Sequence, residues 1–222
     1  MGKINPSGIM KIALVTGATG LIGSQLVQLL LEDSYYGKVI AVTRKPLDFQ
    51  HSKLENLALD FDKLTEHFNS LKADDVFCCL GTTIKSAKTK EAFRKVDFEY
   101  SVELARLTKS QGASQFLLVS ALGADKNSNV FYNKVKGEVE EAIQKISFSS
   151  VHVFRPSLLL GPRTEHRTGE DAAKLFFKFL GFLLPAKYKA VQSIKVARAM
   201  LHFSKTNNTG FHIIESDELQ KF

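Results

Sequence analysis

The sequence feature that most constrains this chain is a run of spaced glycines directly behind a short apolar stretch. Residues 12–15 read Ile-Ala-Leu-Val, and residues 16–23 continue as Thr-Gly-Ala-Thr-Gly-Leu-Ile-Gly. A buried strand that ends in a glycine turn before a helix directs backbone N–H groups and the positive helix end towards a phosphate. The run therefore predicts a loop that binds nucleotide phosphate, with contacts from Gly17, Thr19, Gly20, Leu21, Ile22 and Gly23.

The spacing of these glycines is G-x-x-G-x-x-G, which differs from the G-x-G-x-x-G of the standard dinucleotide fingerprint. Three spaced glycines alone are a weak signal, because an ordinary strand-to-helix turn gives the same pattern. The interpretation therefore depends on the rest of the chain.

The length and composition favour one compact domain. The chain has 222 residues, of which 44% are hydrophobic and 24% charged, and no apolar run reaches the length of a membrane span. Residues 1–9 lack the features of a secretory signal or a transit peptide, so we expect a short flexible extension followed by a single domain over 10–222. Cys78 and Cys79 are adjacent and point to opposite faces of a strand, which suits a reducing compartment. We expect a cytoplasmic protein.

The net charge of +7 favours anionic partners without choosing among them. The densest basic segment, residues 85–95, lacks interleaved aromatic residues and nucleic-acid-binding motifs, so we expect no nucleic-acid partner. The six histidines are scattered and show no metal-ligand spacing with each other or with the cysteines, so we expect no metal.

Apolar strand-like runs alternate with helical patterns along the chain. Continuous apolar strands that are separated by helices predict a parallel sheet covered on both faces. The fold class is therefore α/β, a doubly wound parallel sheet of the Rossmann type with three α/β/α layers. The predicted strands are 12–15, 39–42, 57–59, 76–80, 116–119, 151–154 and 211–214; the predicted helices are 21–31, a short one after 62, 91–109 and 130–146.

Tyr132 and Lys136 are four residues apart in a helical pattern, so they share one face about one turn apart. Ser120 ends the apolar run before this helix. With the glycine run, a Ser followed by Tyr-x-x-x-Lys resembles the short-chain dehydrogenase/reductase superfamily. Segments in the same order resemble its atypical Tat-interacting-protein branch, over about residues 11–205: 78–83, 96–97, 120–125, 134–140 and 154–156.

The resemblance implies an oxidoreductase site with Ser120, Tyr132 and Lys136 as catalytic residues. A carbonyl that receives hydride needs a proton donor, and a tyrosine, whose ordinary pKa is about 10, is a better acid-base group beside a cation. In the family pattern Lys136 also holds the nicotinamide ribose and Ser120 orients the substrate carbonyl. The alternatives are a partly buried Tyr132 with a satisfied hydroxyl and a solvated Lys136 that pairs with Glu140.

Arg44 follows the second predicted strand, where an NAD-preferring protein normally has an acidic residue. A guanidinium matches a 2′-phosphate in charge and geometry, so we expect NADP(H) to be preferred over NAD(H); the alternative is an exposed loop arginine. By resemblance, further cofactor contacts come from Tyr132, Lys136, Asp60, Phe61, Leu80, Gly81, Thr82, Pro156 and Leu158. These positions are also ordinary strand ends and turns, and Asp60 could equally cap a helix.

Two residues near the predicted site need separate interpretation. Asp97 lies where many superfamily members have the Asn of a proton relay, and an ionised carboxylate cannot donate a hydrogen bond. We therefore expect Asp97 to cap or pair with a neighbour rather than to take part in a relay. Gly137 lies inside a predicted helix, at a cost of about 1 kcal/mol against alanine, which indicates close approach of another backbone or of the cofactor.

The predicted substrate side is a small region near 157–192. It includes a polar loop, 163–171, and a Phe-rich segment, 176–184, which could roof a pocket, form an interface, lie on a membrane surface or pack on the core. The intact set of Ser120, Tyr132 and Lys136 favours an NADP(H)-dependent oxidoreductase with an unidentified carbonyl or alcohol substrate. The alternative is an NADPH-binding regulatory protein that binds a protein partner with little or no turnover. We expect a monomer or a homodimer.

Overall fold

The fold is built on a parallel sheet. The carboxyl ends of its strands all lie at one edge, and the candidate site lies at that edge. The computed structural model describes residues 10–161, 185–206 and 208–222. Its strands are β1 Lys11–Thr16, β2 Tyr36–Thr43, β3 Leu54–Ala58, β4 Asp75–Cys78, β5 Gln115–Val119, β6 Ser150–Arg155, β7 Leu159–Leu160, β8 Val191–Gln192 and β9 Gly210–Glu215. Within these ranges seven strands form one parallel sheet in the order β3-β2-β1-β4-β5-β6-β9, and β7 pairs with β8 in a separate two-stranded sheet.

The helices of the described ranges cover this sheet. They are α1 Gly23–Glu32, α2 Ile84–Ala87, α3 Lys90–Arg94, α4 Tyr100–Ser110, α5 Phe131–Gln144, α6 Ser193–Ser204 and α7 Ser216–Leu219. A 3-10 segment spans Phe61–Leu71, a 3-10 turn spans Ala186–Tyr188, and a π-helical turn over Lys95–Glu99 joins α3 to α4. None of the helices in these ranges has the length and apolarity that a membrane crossing needs.

The core has two halves because the central strands of the sheet are buried on both faces. Alternation along β1 sends Ala13 and Val15 towards a cluster that also holds Leu30 of α1, whereas Leu14 joins a cluster with Leu104 of α4 on the other face. This arrangement confirms the predicted doubly wound, three-layer Rossmann fold. The strand order reverses between β1 and β4, the position where open α/β sheets bind ligands.

A buried polar cluster lies at the opposite, amino edge of the sheet. Lys11, Tyr36, Asp75 and Gln115 each begin a strand and converge on the Asp75 carboxylate. Asp75 is fully buried, and burial raises its pKa although the Lys11 ammonium, 3.0 Å away, opposes this. The cluster ties four strands together far from the carboxyl ends.

The predicted elements differ from the observed ones at their ends and in the last third of the chain. The weak strand expected at 57–59 lies at Leu54–Ala58, and the sequence patterns did not reveal the β7–β8 pair. β7 and β8 have two residues each, which is too short for a hydrophobic period to be recognised. Residues 1–9, the polar loop 163–171 and the Phe-rich segment 176–184 lie outside the described residues.

Candidate active site

The predicted site residues follow the carboxyl ends of six strands. Gly17 follows β1, Arg44 follows β2, Asp60 lies two residues beyond β3, Leu80 lies beyond β4, Ser120 follows β5 and Pro156 follows β6. Because parallel strands end at one edge, the sheet collects these positions along that edge. Tyr132 and Lys136 lie in the first half of α5, which follows β5.

The glycine turn is shaped by close backbone contacts. Gly17 has φ +70°, and a β-carbon there would lie 2.3 Å from the carbonyl oxygen of Cys79. A β-carbon on Gly23 would lie 2.2 Å from the carbonyl oxygen of Gly17. Both glycines are therefore needed for the turn to pack against β4 and α1, whatever the turn binds.

The solvent side of this turn suits an anionic phosphate. Thr19 and Gly20 are exposed, and the N–H groups of Leu21 and Ile22 donate to no backbone group among the described residues. The first turn of α1 carries no acidic side chain. Unpaired N–H groups at a positive helix end fit a pyrophosphate, so the residues present suit the predicted nucleotide cofactor.

Arg44 is exposed directly after β2. Among the described residues no carboxylate pairs with its guanidinium, and the neighbouring Thr43 hydroxyl donates to the carbonyl of Lys45, 2.6 Å away. The side chain is therefore available to an anion at this edge of the sheet.

Two of the predicted cofactor contacts, Asp60 and Phe61, have structural roles of their own. The Asp60 carboxylate accepts a hydrogen bond from the Asp62 N–H at 3.0 Å and so caps the 3-10 segment, as the alternative interpretation held. Phe61 is buried, and its ring centre lies 5.5 Å from that of Tyr100. Only Asp60 of the two is exposed to an incoming ligand.

Beyond β4 the chain runs beside the candidate catalytic lysine. A β-carbon on Gly81 would lie 3.8 Å from Lys136 Nζ, an ordinary contact, so Gly81 borders this side chain without being sterically required. Leu80 packs partly on the core. On the other side, the carbonyls of Pro156 and Leu158 accept hydrogen bonds from the N–H groups of Leu122 and Val191.

Tyr132 is held at the start of α5 by an aromatic contact with α3. Its ring centre lies 5.5 Å from that of the buried Phe93. Gly137 explains how α5 reaches this position, because a β-carbon there would lie 2.1 Å from the backbone nitrogen of Lys126. Of the two explanations offered for Gly137, the close approach is thus of another backbone.

Lys136 is buried and forms an ion pair with Asp97. Its Nζ lies 2.7 Å from Asp97 Oδ1, and the exposed fractions of the two side chains are 5% and 0%. Burial lowers the pKa of Lys136, but the Asp97 carboxylate, helped by Tyr132, outweighs burial and raises it above the ordinary value. Lys136 is therefore a fixed ammonium, and the expected alternative of a solvated partner for Glu140 is wrong.

Ser120 and Glu140 are both buried and in contact. The Ser120 hydroxyl donates to Oε1 of Glu140, and Arg155 donates from Nε to the same oxygen at 3.0 Å and from Nη2 to Oε2 at 2.5 Å. Arg155 also pairs with Glu215 at 3.2 Å. This network joins the end of β5 to α5, β6 and β9.

Sequence reasoning missed the roles of Asp97 and Glu140 as partners of predicted catalytic residues. The spacing of Lys136 and Glu140 suggested that they pair with each other, but each faces a different element. The Phe154-Arg155-Pro156 segment entered the prediction only as part of a family motif. The available signal was Glu140, because a carboxylate on the buried side of a helix needs a cation to pair with, and Arg155 is that cation.

Comparisons with known proteins extend over most of the chain. The family model described as "NAD dependent epimerase/dehydratase family" matches residues 13–202. Protein HTATIP2 of Rattus norvegicus is 38% identical over 196 residues, which are 86% of this chain and 80% of that protein. Protein FMP52, mitochondrial, of Candida albicans is 32% identical over 203 residues, which are 88% of this chain and 89% of that protein.

Solved structures show the same fold at low sequence identity. MoeE5 in complex with UDP-glucose and NAD has a TM-score of 0.71 and 18% identity, and covers 93% of this chain and 79% of its own. The UDP-glucose 4-epimerase of Thermotoga maritima with UDP-glucose has a TM-score of 0.68 and 21% identity, and covers 93% and 77%. At these identities the likeness concerns the fold alone.

The expected cytoplasmic location is contradicted by these relatives. Proteins from Candida albicans, Debaryomyces hansenii and Eremothecium gossypii, each 32% identical, carry the name "Protein FMP52, mitochondrial". A free cysteine pair indicates a reducing environment but does not distinguish one such compartment from another.

The family match and the two groups of relatives agree with the motifs found in the sequence. The chain belongs to the NAD dependent epimerase/dehydratase family of the short-chain dehydrogenase/reductase superfamily, in its atypical Tat-interacting-protein-like branch.

Proposed function

We propose that this protein is an NADP(H)-dependent oxidoreductase that interconverts a carbonyl and an alcohol. The observation that carries the proposal is the placement of Tyr132 one turn before the buried ammonium of Lys136, at the sheet edge that also holds the open glycine turn. This edge is where members of the fold class bind ligands.

The bound cofactor would supply or accept hydride at the substrate carbon. In the direction of reduction, the Tyr132 phenol gives its proton to the oxygen of the former carbonyl, which becomes the alcohol hydroxyl. The Lys136 ammonium stabilises the phenolate left behind, because an adjacent positive charge favours the charged form of an acid. In the direction of oxidation the same phenolate takes the alcohol proton.

The exposed guanidinium of Arg44 supports a preference for NADP(H) over NAD(H). It follows β2 and has no carboxylate partner among the described residues, so a 2′-phosphate on the adenine ribose could accept hydrogen bonds from it. The glycine turn, through the N–H groups of Leu21 and Ile22, suits the pyrophosphate that both cofactors share.

Ser120 has a smaller part in this proposal than the sequence motif suggests. Its hydroxyl carries one proton, which goes to Glu140, so it cannot donate to a substrate carbonyl without breaking that bond. We infer that Ser120 mainly fixes the end of β5 relative to α5 and contributes less to turnover than Tyr132.

The decisive experiment measures NADPH consumption over a panel of aldehydes, ketones and quinones with the wild type and Tyr132→Phe side by side. Turnover that is lost in the variant, with NADPH binding retained, supports the proposal. Equal turnover in both proteins contradicts the role of Tyr132. Absence of turnover in both, with NADPH bound, favours the alternative of a regulatory protein, for which an NADPH-dependent partner in a pull-down is the further test.

The names of the FMP52 relatives also support a mitochondrial location for this chain. Imaging of the full chain with a fluorescent protein fused after residue 222, beside a mitochondrial dye, tests this. Diffuse fluorescence that excludes mitochondria would contradict it.

A further inference from the structure

Asp97 is a buried carboxylate that the proposed hydride transfer does not use. Its side chain is fully buried, and its partner Lys136 is one turn away from the proposed proton donor, Tyr132. Buried charges are costly unless they are paired, so this ion pair is maintained against a penalty for removing both groups from water.

Local backbone structure fixes the position of this carboxylate. Asp97 lies in the middle of the π-helical turn Lys95–Glu99, which adds a residue to the helix between α3 and α4. Single π turns of this kind are frequent at functional sites. The turn gives Asp97 a position from which Oδ1 reaches Lys136, while Oδ2 accepts a hydrogen bond of 2.9 Å from the N–H of Thr82.

The two oxygens of Asp97 therefore join three elements of the site. One binds the ammonium on α5, and the other binds the backbone beyond β4. A β-carbon on Gly81 would lie 3.6 Å from Asp97 Oδ1 and 3.8 Å from Lys136 Nζ. Lys136 cannot move towards solvent without leaving a buried carboxylate unpaired.

The surroundings of the ion pair contain few other charges. Three groups raise the pKa of Lys136: Asp97 in the π turn, Tyr132 on the same helix and Cys78 on β4. Burial raises the pKa of the Cys78 thiol, so Cys78 remains neutral, and the group that contacts Tyr132 from α3 is the apolar ring of Phe93. Asp97 is thus the carboxylate that contacts Lys136 among the described residues.

A carboxylate beside the ammonium changes what the ammonium does for the tyrosine. A lone positive charge favours loss of the Tyr132 proton, whereas a close pair of opposite charges has a much weaker effect on a third group. Removal of the negative charge makes it easier to take a proton from the Tyr132 and Lys136 pair, whichever of the two releases it first.

We propose that Asp97 is a positioning residue for Lys136: it fixes the ammonium one turn from Tyr132 and opposes the effect of its charge there. The inference rests on the proposed function, in which Tyr132 is the acid-base group.

Direct titration of Tyr132 tests this inference without any substrate. Tyrosinate absorbs in the near ultraviolet, so the difference between a protein and its Tyr132→Phe counterpart isolates the ionisation of this one residue. The measurement is made with the wild type and with Asp97→Asn, an isosteric change whose amide oxygen can still accept from the Thr82 N–H. We expect the midpoint to fall by about one pH unit or more in Asp97→Asn.

A matched control is Glu138→Gln, which removes a carboxylate of α5 that pairs with Arg94 of α3 and is partly exposed. We expect its Tyr132 midpoint to equal that of the wild type within the error of the titration. Equal midpoints for Asp97→Asn and the wild type would overturn the proposal, as would an equal shift in Glu138→Gln.

A second pair of variants covers the case in which Asp97→Asn does not fold. Lys136→Met is compared with the double variant Asp97→Asn, Lys136→Met, which carries no charge at either position. The proposal expects a higher Tyr132 midpoint in Lys136→Met than in the double variant, and equal midpoints would contradict it. Because the readout needs no turnover, it separates this inference from the test of the proposed function.

Discussion

The hydroxyl of Ser120 donates its proton to the carboxylate of Glu140, which is itself held by two hydrogen bonds from Arg155. The network is buried at the end of β5, so its members stabilise the fold as well as shape the site. Ser120 thus belongs to a catalytic motif and is also bound to a structural partner. A catalytic role and a structural role predict different effects of its replacement.

Replacement of Ser120 by alanine tests these two roles. We expect Ser120→Ala to lower the free energy of unfolding by about 1 to 3 kcal/mol, because Glu140 loses a buried charge-assisted hydrogen bond. We expect kcat/KM to fall by less than about tenfold, against at least about a hundredfold for Tyr132→Phe. Urea unfolding and steady-state kinetics measure both. A loss in Ser120→Ala as large as that in Tyr132→Phe would show that Ser120 acts on the substrate directly.

The cofactor preference is tested by Arg44→Ser. Loss of a charge-assisted contact to the 2′-phosphate should weaken NADPH binding about 10- to 100-fold and leave NADH binding within about twofold. Isothermal titration calorimetry with each reduced cofactor measures this. Arg106→Ser, which removes another exposed arginine, from α4, is the control. If wild type binds both cofactors equally, the preference for NADP(H) is wrong.

The polar cluster at the amino edge predicts an effect on stability alone. The Tyr36 hydroxyl donates to Asp75 Oδ2 at 2.8 Å, both residues are fully buried, and burial raises the pKa of Tyr36 well above its ordinary value, so it stays a donor. We expect Tyr36→Phe to lower the free energy of unfolding by about 1.5 to 3 kcal/mol without change in NADPH affinity. Tyr188→Phe, at an exposed tyrosine, should change neither. Reduced NADPH affinity in folded Tyr36→Phe would contradict this separation of the two edges.

His152 predicts a loss of stability in acid. It is fully buried, its ring stacks on that of His212 with centres 5.1 Å apart, and burial together with the His212 charge lowers its pKa to about 4. In the unfolded chain His152 binds a proton near pH 6.5, well above its pKa in the folded protein. The contribution of neutral His152 to the free energy of unfolding is therefore fully present above pH 6.5. It falls as the pH drops from 6.5 towards 4, by up to about 1.4 kcal/mol per pH unit.

Urea unfolding at several pH values between 7 and 4 measures this slope. His152→Leu should flatten the dependence, whereas His51→Gln, at an exposed histidine, should leave it as in the wild type. An unchanged slope in His152→Leu would mean that other groups cause the acid sensitivity.

Much of the fold could be predicted because local patterns determine it. The apolar run before Gly17, the alternation of strands and helices and the placement of Ser120 and Arg44 at strand ends all depend on residues close together in sequence. The same local reasoning offered a helix cap as the alternative role of Asp60 and predicted a close approach at Gly137, of another backbone or of the cofactor; the structure shows the cap and the approach of another backbone.

The partners of the site residues could not be predicted, because they depend on how distant elements cross. Asp97 and Lys136 are 39 positions apart and meet where the π turn packs against α5. Glu140 is one turn beyond Lys136 but faces Arg155 on β6, a choice set by the rotation of α5 against the sheet. Helical spacing predicts which residues share one face of a helix. It does not predict which other element packs against that face.

The contacts of Gly17 and Gly23 bear on how a cofactor-free form of this protein should be made. A side chain at either position collides with backbone, so its replacement disturbs the turn itself, and a loss of binding would then report misfolding. The exposed side chains of Thr19 and Arg44 meet no such obstacle. An engineer who wants an intact but empty protein should therefore alter those two positions and leave the glycines in place.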